Sequence, residues 1–210
     1  MSFAVAIVLG FFLALGRASP RRAVRGFVFF YTWIFRATPT LLQLLFIWDA
    51  LPQLWGVFRE GWFTPFLAAS IALSLNEAAY MAEIIRSGLL SVDPGQELAG
   101  RALGMSRRRI LRRVIVPQAV RIVIPPMGNE FITLLKLTSL ATVISVTELL
   151  TASQNFYSAN FSYLEAFTAA ALYYLFIVSI LMFIQSRLEK QFTFSSARRR
   201  VVRFASHDAR

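Results

Sequence analysis

The 210-residue sequence has no cysteine. A disulfide, a thiolate metal site and a cysteine nucleophile are therefore excluded. Histidine occurs once, as His207 in the charged tail, so histidine-based acid–base or metal chemistry has no constellation to work with. Lysine is nearly missing too: Lys136 and Lys190 are the only two, and neither follows a glycine. A phosphate-binding loop needs the Gly-x-x-x-x-Gly-Lys-Ser/Thr pattern, so the chain lacks that device for ATP. Charge is scarce overall, at 16% of residues against about 25% in ordinary soluble domains. No nucleophile–base pair, metal cluster or internal repeat is visible. An enzyme is the least favoured class.

What is present is apolar. Hydrophobic residues make up 57% of the chain, phenylalanine occurs 20 times, and the mean hydropathy is +0.58. The net charge of +11 and a pI near 11.2 would ordinarily suggest a nucleic-acid partner. A soluble nucleic-acid binder does not carry this much apolar surface, and neither does a disordered chain. A membrane is the environment the composition fits.

A spanning helix needs about 20 predominantly apolar residues. Five segments approach that length: 2–16, 26–48, 65–85, 114–150 and 163–186. The expected fold is an all-α integral membrane protein of five spans, one domain over 1–190 followed by a basic tail over 191–210 that faces the cytoplasm and could meet anionic lipid. The fourth segment is expected to break at Pro117, Pro125, Pro126 and Gly128. The first is short. It has neither the basic start nor the small-residue cleavage site of a signal peptide, so a true start upstream of Met1 is the better expectation.

The cations sort by loop. Eighteen of the 22 Lys and Arg residues fall in 17–25, 86–113 and the tail after 186, whereas the alternate loops 49–64 and 151–162 hold only Arg59. Lys/Arg excess marks the cytoplasmic side. With five spans this places the N-terminus outside and the C-terminus inside.

The loop over 91–117 carries the most information. Asp93 before Pro94 reads as an N-cap with proline at the first helical position, and Gln96 three residues on resembles a capping box. A helix over 96–103 would stop at Gly104. Ser106 would cap a second helix to about Val116. Leu98, Ala102, Ile110, Leu111 and Val114 supply apolar faces. Two short helices of this kind either lie on lipid headgroups or offer a surface to a cytoplasmic partner.

Glu97-Leu98-Ala99, then Gly104 seven residues after Glu97, then nine residues before Val114-Ile115-Val116-Pro117, resembles the EAA loop of ABC-transporter permeases. The family has Ala where Leu98 stands, and Ile and Leu where Val114 and Val116 stand. Other stretches resemble the branch that imports polar amino acids: Arg36-Ala37-Thr38-Pro39, Ser74 to Tyr80 with Ala82-Glu83-Ile84, Arg101 to Ser106, Pro125 to Phe131 and Leu134 to Leu140. The resemblance runs from about residue 5 to 190. It implies a five-span type I importer permease in a bacterial inner membrane. It further implies a second copy or homologous permease, two cytoplasmic ABC ATPases that hold ATP-Mg, and an extracytoplasmic solute-binding protein. No cofactor is expected on this chain, and no nucleic acid. Gln96, Glu97, Ala99, Arg101 and Gly104 would form the ATPase-coupling element, with Glu97 and Arg101 facing the ATPase or bracing the loop.

A charge at mid-membrane costs about 2.5–3.5 kcal/mol, so such groups face a cavity or a partner. Glu83 and Arg121 are near enough to a membrane face to snorkel. Arg36, three residues before Pro39, serves as a gate or pairs internally. Glu77 lies near a midplane, and Lys136, Thr138 and Ser139 follow the expected helix breaks, where freed backbone groups bind polar cargo. These four, with Tyr80, Asn129 and Glu130, are the candidate substrate path. The alternative is a Glu77–Lys136 or Glu130–Lys136 ion pair that only holds the bundle together. Leu137 stands where relatives often have Asp, so a direct contact there is in doubt. The cargo expected from the resemblance is a polar amino acid, with an opine, polyamine or osmolyte as alternatives. An ion-coupled carrier or channel, or a membrane scaffold that moves no solute, are the competing classes.

Overall fold

A computed structural model describes the backbone of residues 1–205 and the side chains of residues 1–192. The expected basic tail falls outside the described side chains from residue 193 onward, and His207 lies outside the described residues. Every regular element among the described residues is helical.

Helix α5 (Pro65–Leu90) is the axis of the bundle. Thr64 caps it by accepting from the Leu67 N–H at 3.3 Å, and Pro65 occupies the first turn. Its 26 residues extend about 39 Å, and its middle is buried on most sides, from Ala68 through Ala82. Helix α1 (Ser2–Arg17) lies along it through Ala6, Gly10 and Ala14, one small residue per turn. Small residues let helix backbones approach closely where apolar surface alone gives no drive to associate. A Cβ on Gly10 would collide with the Met81 Cβ. Gly10→Leu is therefore expected to lower the melting temperature of the solubilised protein, because overpacking costs about 1–3 kcal/mol. Gly26→Leu, with nothing within 4 Å, should leave it unchanged. Equal melting of the two variants would refute this packing.

Helix α2 (Arg22–Ala37) ends at Thr38-Pro39, and α3 (Thr40–Leu45) leaves at an angle that makes a 109° bend with α2. A π-turn over Phe46–Ala50 leads into the short α4 (Leu51–Leu54). After α5 come α6 (Pro94–Ala102) and α7 (Arg107–Ile110). Helix α7 passes through a π-turn, Leu111–Ile115, directly into α8 (Val116–Leu137). The expected separate helix from Ser106 to Val116 is thus the start of the long helix, and Ser106 occupies its N-cap without a side-chain bond.

The expected breaks in the fourth segment are also misplaced. Helix α8 continues through Pro125 and Pro126. Proline's φ is already helical, and within a bundle neighbours can serve the backbone groups it frees. Those groups are the Arg121 and Ile122 carbonyls; separately, the Gln185 side chain of α10 (Tyr163–Ala205) donates to the Pro125 carbonyl at 3.4 Å and packs on Gly128, which ties α10 to α8 beside the proline pair. The real break follows Lys136: a 3₁₀ turn over Thr138–Ile144, then Ser145 at φ 62°, then α9 (Leu149–Asn160).

Among the described residues only α10, over Tyr163–Phe192, is by itself long and apolar enough to cross a membrane. The bent pairs Arg22–Ala37 with Thr40–Leu54 and Arg107–Ile144 with Leu149–Asn160 raise the number to three. Helix α1 has 16 residues, and α5 carries Asn76, Glu77, Glu83 and Arg86.

Candidate functional site

Helix α6 is a rigid knob with a free outer face. Asp93 caps it, accepting from the Gly95 N–H at 2.8 Å. Gln96 does not close a capping box. Its side-chain oxygen accepts from Gln118 Nε2 at 3.3 Å, which ties the knob to α8. Gly100 is buried against Ile110, so α6 is pinned to α7. Glu97 and Arg101 pair with each other along the exposed side of the helix. Gly104 leaves the helix at φ +71°, and the space a Cβ would occupy there is open to 4 Å, so its role is conformational. Ala99 and Ala102 are exposed, Leu98 is 66% exposed and Leu103 80%. Of the residues expected to supply apolar faces, Ile110 is buried against Gly100 while Leu98 is exposed; Leu103, outside that set, is exposed too.

At the Pro39 corner the backbone needs outside help. Proline has no N–H, so the Phe35 carbonyl loses its helical donor. Gln43 Nε2 supplies one at 3.0 Å and also serves Thr38. Asn76 Nδ2, from α5, donates to the same Phe35 carbonyl at 3.1 Å and to Gln43 Oε1 at 2.9 Å. Asn76 and Gln43 are both buried. Neither Gln43 nor the corner role of Asn76 is signalled by the sequence, since the two are 33 residues apart.

The charged groups inside the bundle pair differently from expectation. Among the described residues no ion pair joins Glu77 or Glu130 to Lys136; the two ion pairs present are Glu83–Arg86 and Glu97–Arg101. Lys136 is exposed. Glu77, on α5, is 1% exposed and faces the field of Glu130 on α8, and Glu130 in turn lies within electrostatic reach of Arg36. One carboxylate oxygen of Glu77 has no hydrogen-bond partner among the described residues. The Arg36 guanidinium lies 5.6 Å from the centre of the Tyr80 ring. Asn129 is exposed. The hydroxyls of Thr138 and Ser139 donate back to the Leu135 and Lys136 carbonyls, both at 2.7 Å, and so finish the end of α8.

Glu148 is a further residue that sequence reasoning misses. It caps α9, accepting from the Thr151 N–H at 2.7 Å, and takes the Tyr174 hydroxyl at 3.3 Å. Thr151 also bonds Thr142 at 2.9 Å, which fastens α9 to the 3₁₀ turn. Glutamate is not among the usual N-cap residues, so the sequence carries no local signal for this cap.

The chain belongs to the family described as binding-protein-dependent transport system inner membrane component, which it matches over residues 6–194. The arginine transport system permease protein of Corynebacterium glutamicum is 43% identical over 94% of this chain and 66% of its own length. The glutamine transport system permease protein of Escherichia coli K12 is 42% identical over 75% of this chain and 71% of its own. The nopaline transport system permease protein of Agrobacterium fabrum is 39% identical, with 90% and 78% covered. Among solved structures, an amino acid ABC transporter with histidines superposes with a TM-score of 0.84 and 34% identity, covering 90% of this chain and 86% of that one. The MetNI methionine ABC transporter, at 0.74 and 17%, shares the fold.

Proposed function

We propose that the chain is the translocation subunit of an ATP-driven importer for a polar amino acid. The observation that carries this is α6: a knob pinned from beneath whose exposed outer face is apolar, at Leu98 and Leu103. An exposed apolar face on a rigid element is a partner-docking surface. Gln96, Glu97, Ala99, Arg101 and Gly104 shape that face, and a cytoplasmic ABC ATPase holding ATP-Mg is the partner. The names of the arginine and glutamine relatives support an amino acid as cargo. The nopaline relative supports an amino-acid-derived solute as the second reading.

In this function α1, α2–α4, α5, α8–α9 and α10 are the five spans of one domain over 1–190. The cation-rich loops face the cytoplasm and the N-terminus the outside. A second copy or homologous permease completes the pathway, and an extracytoplasmic binding protein delivers the cargo. The path runs past Glu77, Tyr80, Asn129 and Glu130, then Lys136, Thr138 and Ser139 where α8 gives way. Arg36 and Pro39 form its gate. The test is uptake into vesicles that hold the reconstituted complex, with ion gradients collapsed. Uptake that needs ATP supports an importer. Uptake that survives without ATP but dies with the gradient identifies an ion-coupled carrier.

Glu77 is open to a direct check. A buried carboxyl oxygen without a partner is open to a hydrogen-bond donor, and the cargo's ammonium is one. Glu77→Gln is expected to raise the half-saturating cargo concentration by about tenfold, the equivalent of one charge-assisted contact. Unchanged affinity and selectivity at equal expression would remove Glu77 from the path.

A further inference from the structure

A groove of about 380 Å³ lies between α2 and α5, lined among others by Arg17, Phe29, Trp33, Arg36, Tyr80 and Glu83. Its charges do not cancel. Glu83 is already paired with Arg86 at 3.1 Å. Arg17 and Arg36 make no ion pair among the described residues. Each instead lies over an aromatic ring, Arg17 over Phe29 at 4.9 Å and Arg36 over Tyr80 at 5.6 Å. A guanidinium held near a ring and without an ion-pair partner still has N–H groups to offer, and a carboxylate can take two of them in parallel bonds. Two unpaired guanidiniums in one groove make it a site for a small anion.

Arg36 also links this groove to the acidic pair, because Glu130 lies within its field and Glu77 within that of Glu130. A zwitterion fits such a layout, with its ammonium toward the carboxylates and its carboxylate on Arg36. Lys136, Thr138 and Ser139 suit the carboxylate less well. Lys136 is exposed, and both hydroxyl protons are committed to backbone carbonyls.

Resting on the import function proposed above, we infer that the α2–α5 groove is the station that holds the cargo's α-carboxylate, with Arg36 as its principal ligand and Arg17 as its second. A monocarboxylate of amino-acid size is the ligand class. A decarboxylated amine is excluded.

Trp33 lines the groove and reports on it. The purified permease–ATPase complex, without binding protein, is titrated with L-arginine, L-glutamine and agmatine, the decarboxylated form of arginine, while tryptophan fluorescence is followed. At least one of the two amino acids should change the emission, agmatine should not, and Trp33→Phe should remove the change. Arg36→Gln should raise the midpoint by about tenfold or more, as expected for the loss of a charge-assisted pair. Arg17→Gln, at the exposed end of α1, should raise it by a smaller factor and serves if Arg36→Gln fails to fold. Agmatine matching arginine, a midpoint that moves in neither Arg variant, or no emission change with either amino acid overturns the station. ATP-driven uptake of the common amino acids is measured in parallel on the wild type. Import together with any of those negative results overturns the station alone. No import of any amino acid overturns the proposed function and the station with it.

Discussion

Replacing Leu98 and Leu103 together by aspartate is expected to abolish binding-protein-stimulated ATP hydrolysis and uptake while leaving the permease folded. The two leucines are 66% and 80% exposed, so nothing in the bundle depends on them. Surface changes away from packed features stay within about 0.5 kcal/mol. Docking is another matter. Burying a leucine side chain is worth about 1.5–3 kcal/mol, so losing two removes about 3–6 kcal/mol from the interface. That is at least a hundredfold in affinity. The measurements are co-purification of the ATPase, stimulated hydrolysis and a melting curve. Normal co-purification with normal uptake would mean that α6 is not the docking element. A lowered melting temperature in the permease alone would mean that the leucines serve the fold.

The same helix shows what a sequence can reveal. Asp93-Pro94 and Gly104 act over two or three residues, through a side-chain cap and a left-handed turn, and both features are where the spacing puts them. Which leucine faces inward is not a local property. It depends on Gly100 meeting Ile110 and on Gln96 meeting Gln118, contacts between elements. The prolines of α8 mislead for a related reason. Their cost in a helix comes from a lost donor and a clash, and a helix packed in a bundle can carry that cost; α10 packs beside the pair, with Gln185 on the Pro125 carbonyl. The break falls instead at Thr138, where hydroxyls cap the helix end from within.

The charges carry the same lesson. Opposite signs suggest an ion pair between Glu77 or Glu130 and Lys136. The fold turns Glu77 toward Glu130 and leaves Arg36 as the nearby cation. Lys136 and Glu130 are six residues apart, so they lie on well-separated faces of α8, whose period is 3.6. Arg36 is the penultimate residue of α2, directly before the Thr38-Pro39 corner. The corner that ends α2 therefore helps to set where the Arg36 guanidinium lies.

Asn76→Leu should consequently damage both stability and transport. It leaves Gln43 Oε1 buried without a donor, and takes one of two donors from the Phe35 carbonyl. Orphaning a buried polar group costs about 1–3 kcal/mol. Gln43→Leu should cost at least as much, since the Thr38 carbonyl and hydroxyl lose their donor too. The double variant should cost less than the sum, because without Gln43 there is no amide oxygen for Asn76 to abandon. A deficit of more than about 0.5 kcal/mol from additivity, read from denaturation of the solubilised protein, establishes the coupling. Additive losses would show that the two amides act separately. Phe35 immediately precedes Arg36, so a slack corner also misplaces the guanidinium, and uptake in Asn76→Leu should lose affinity for cargo as well as rate. A loss of rate alone would place Arg36 outside the path and leave the corner as a purely mechanical brace.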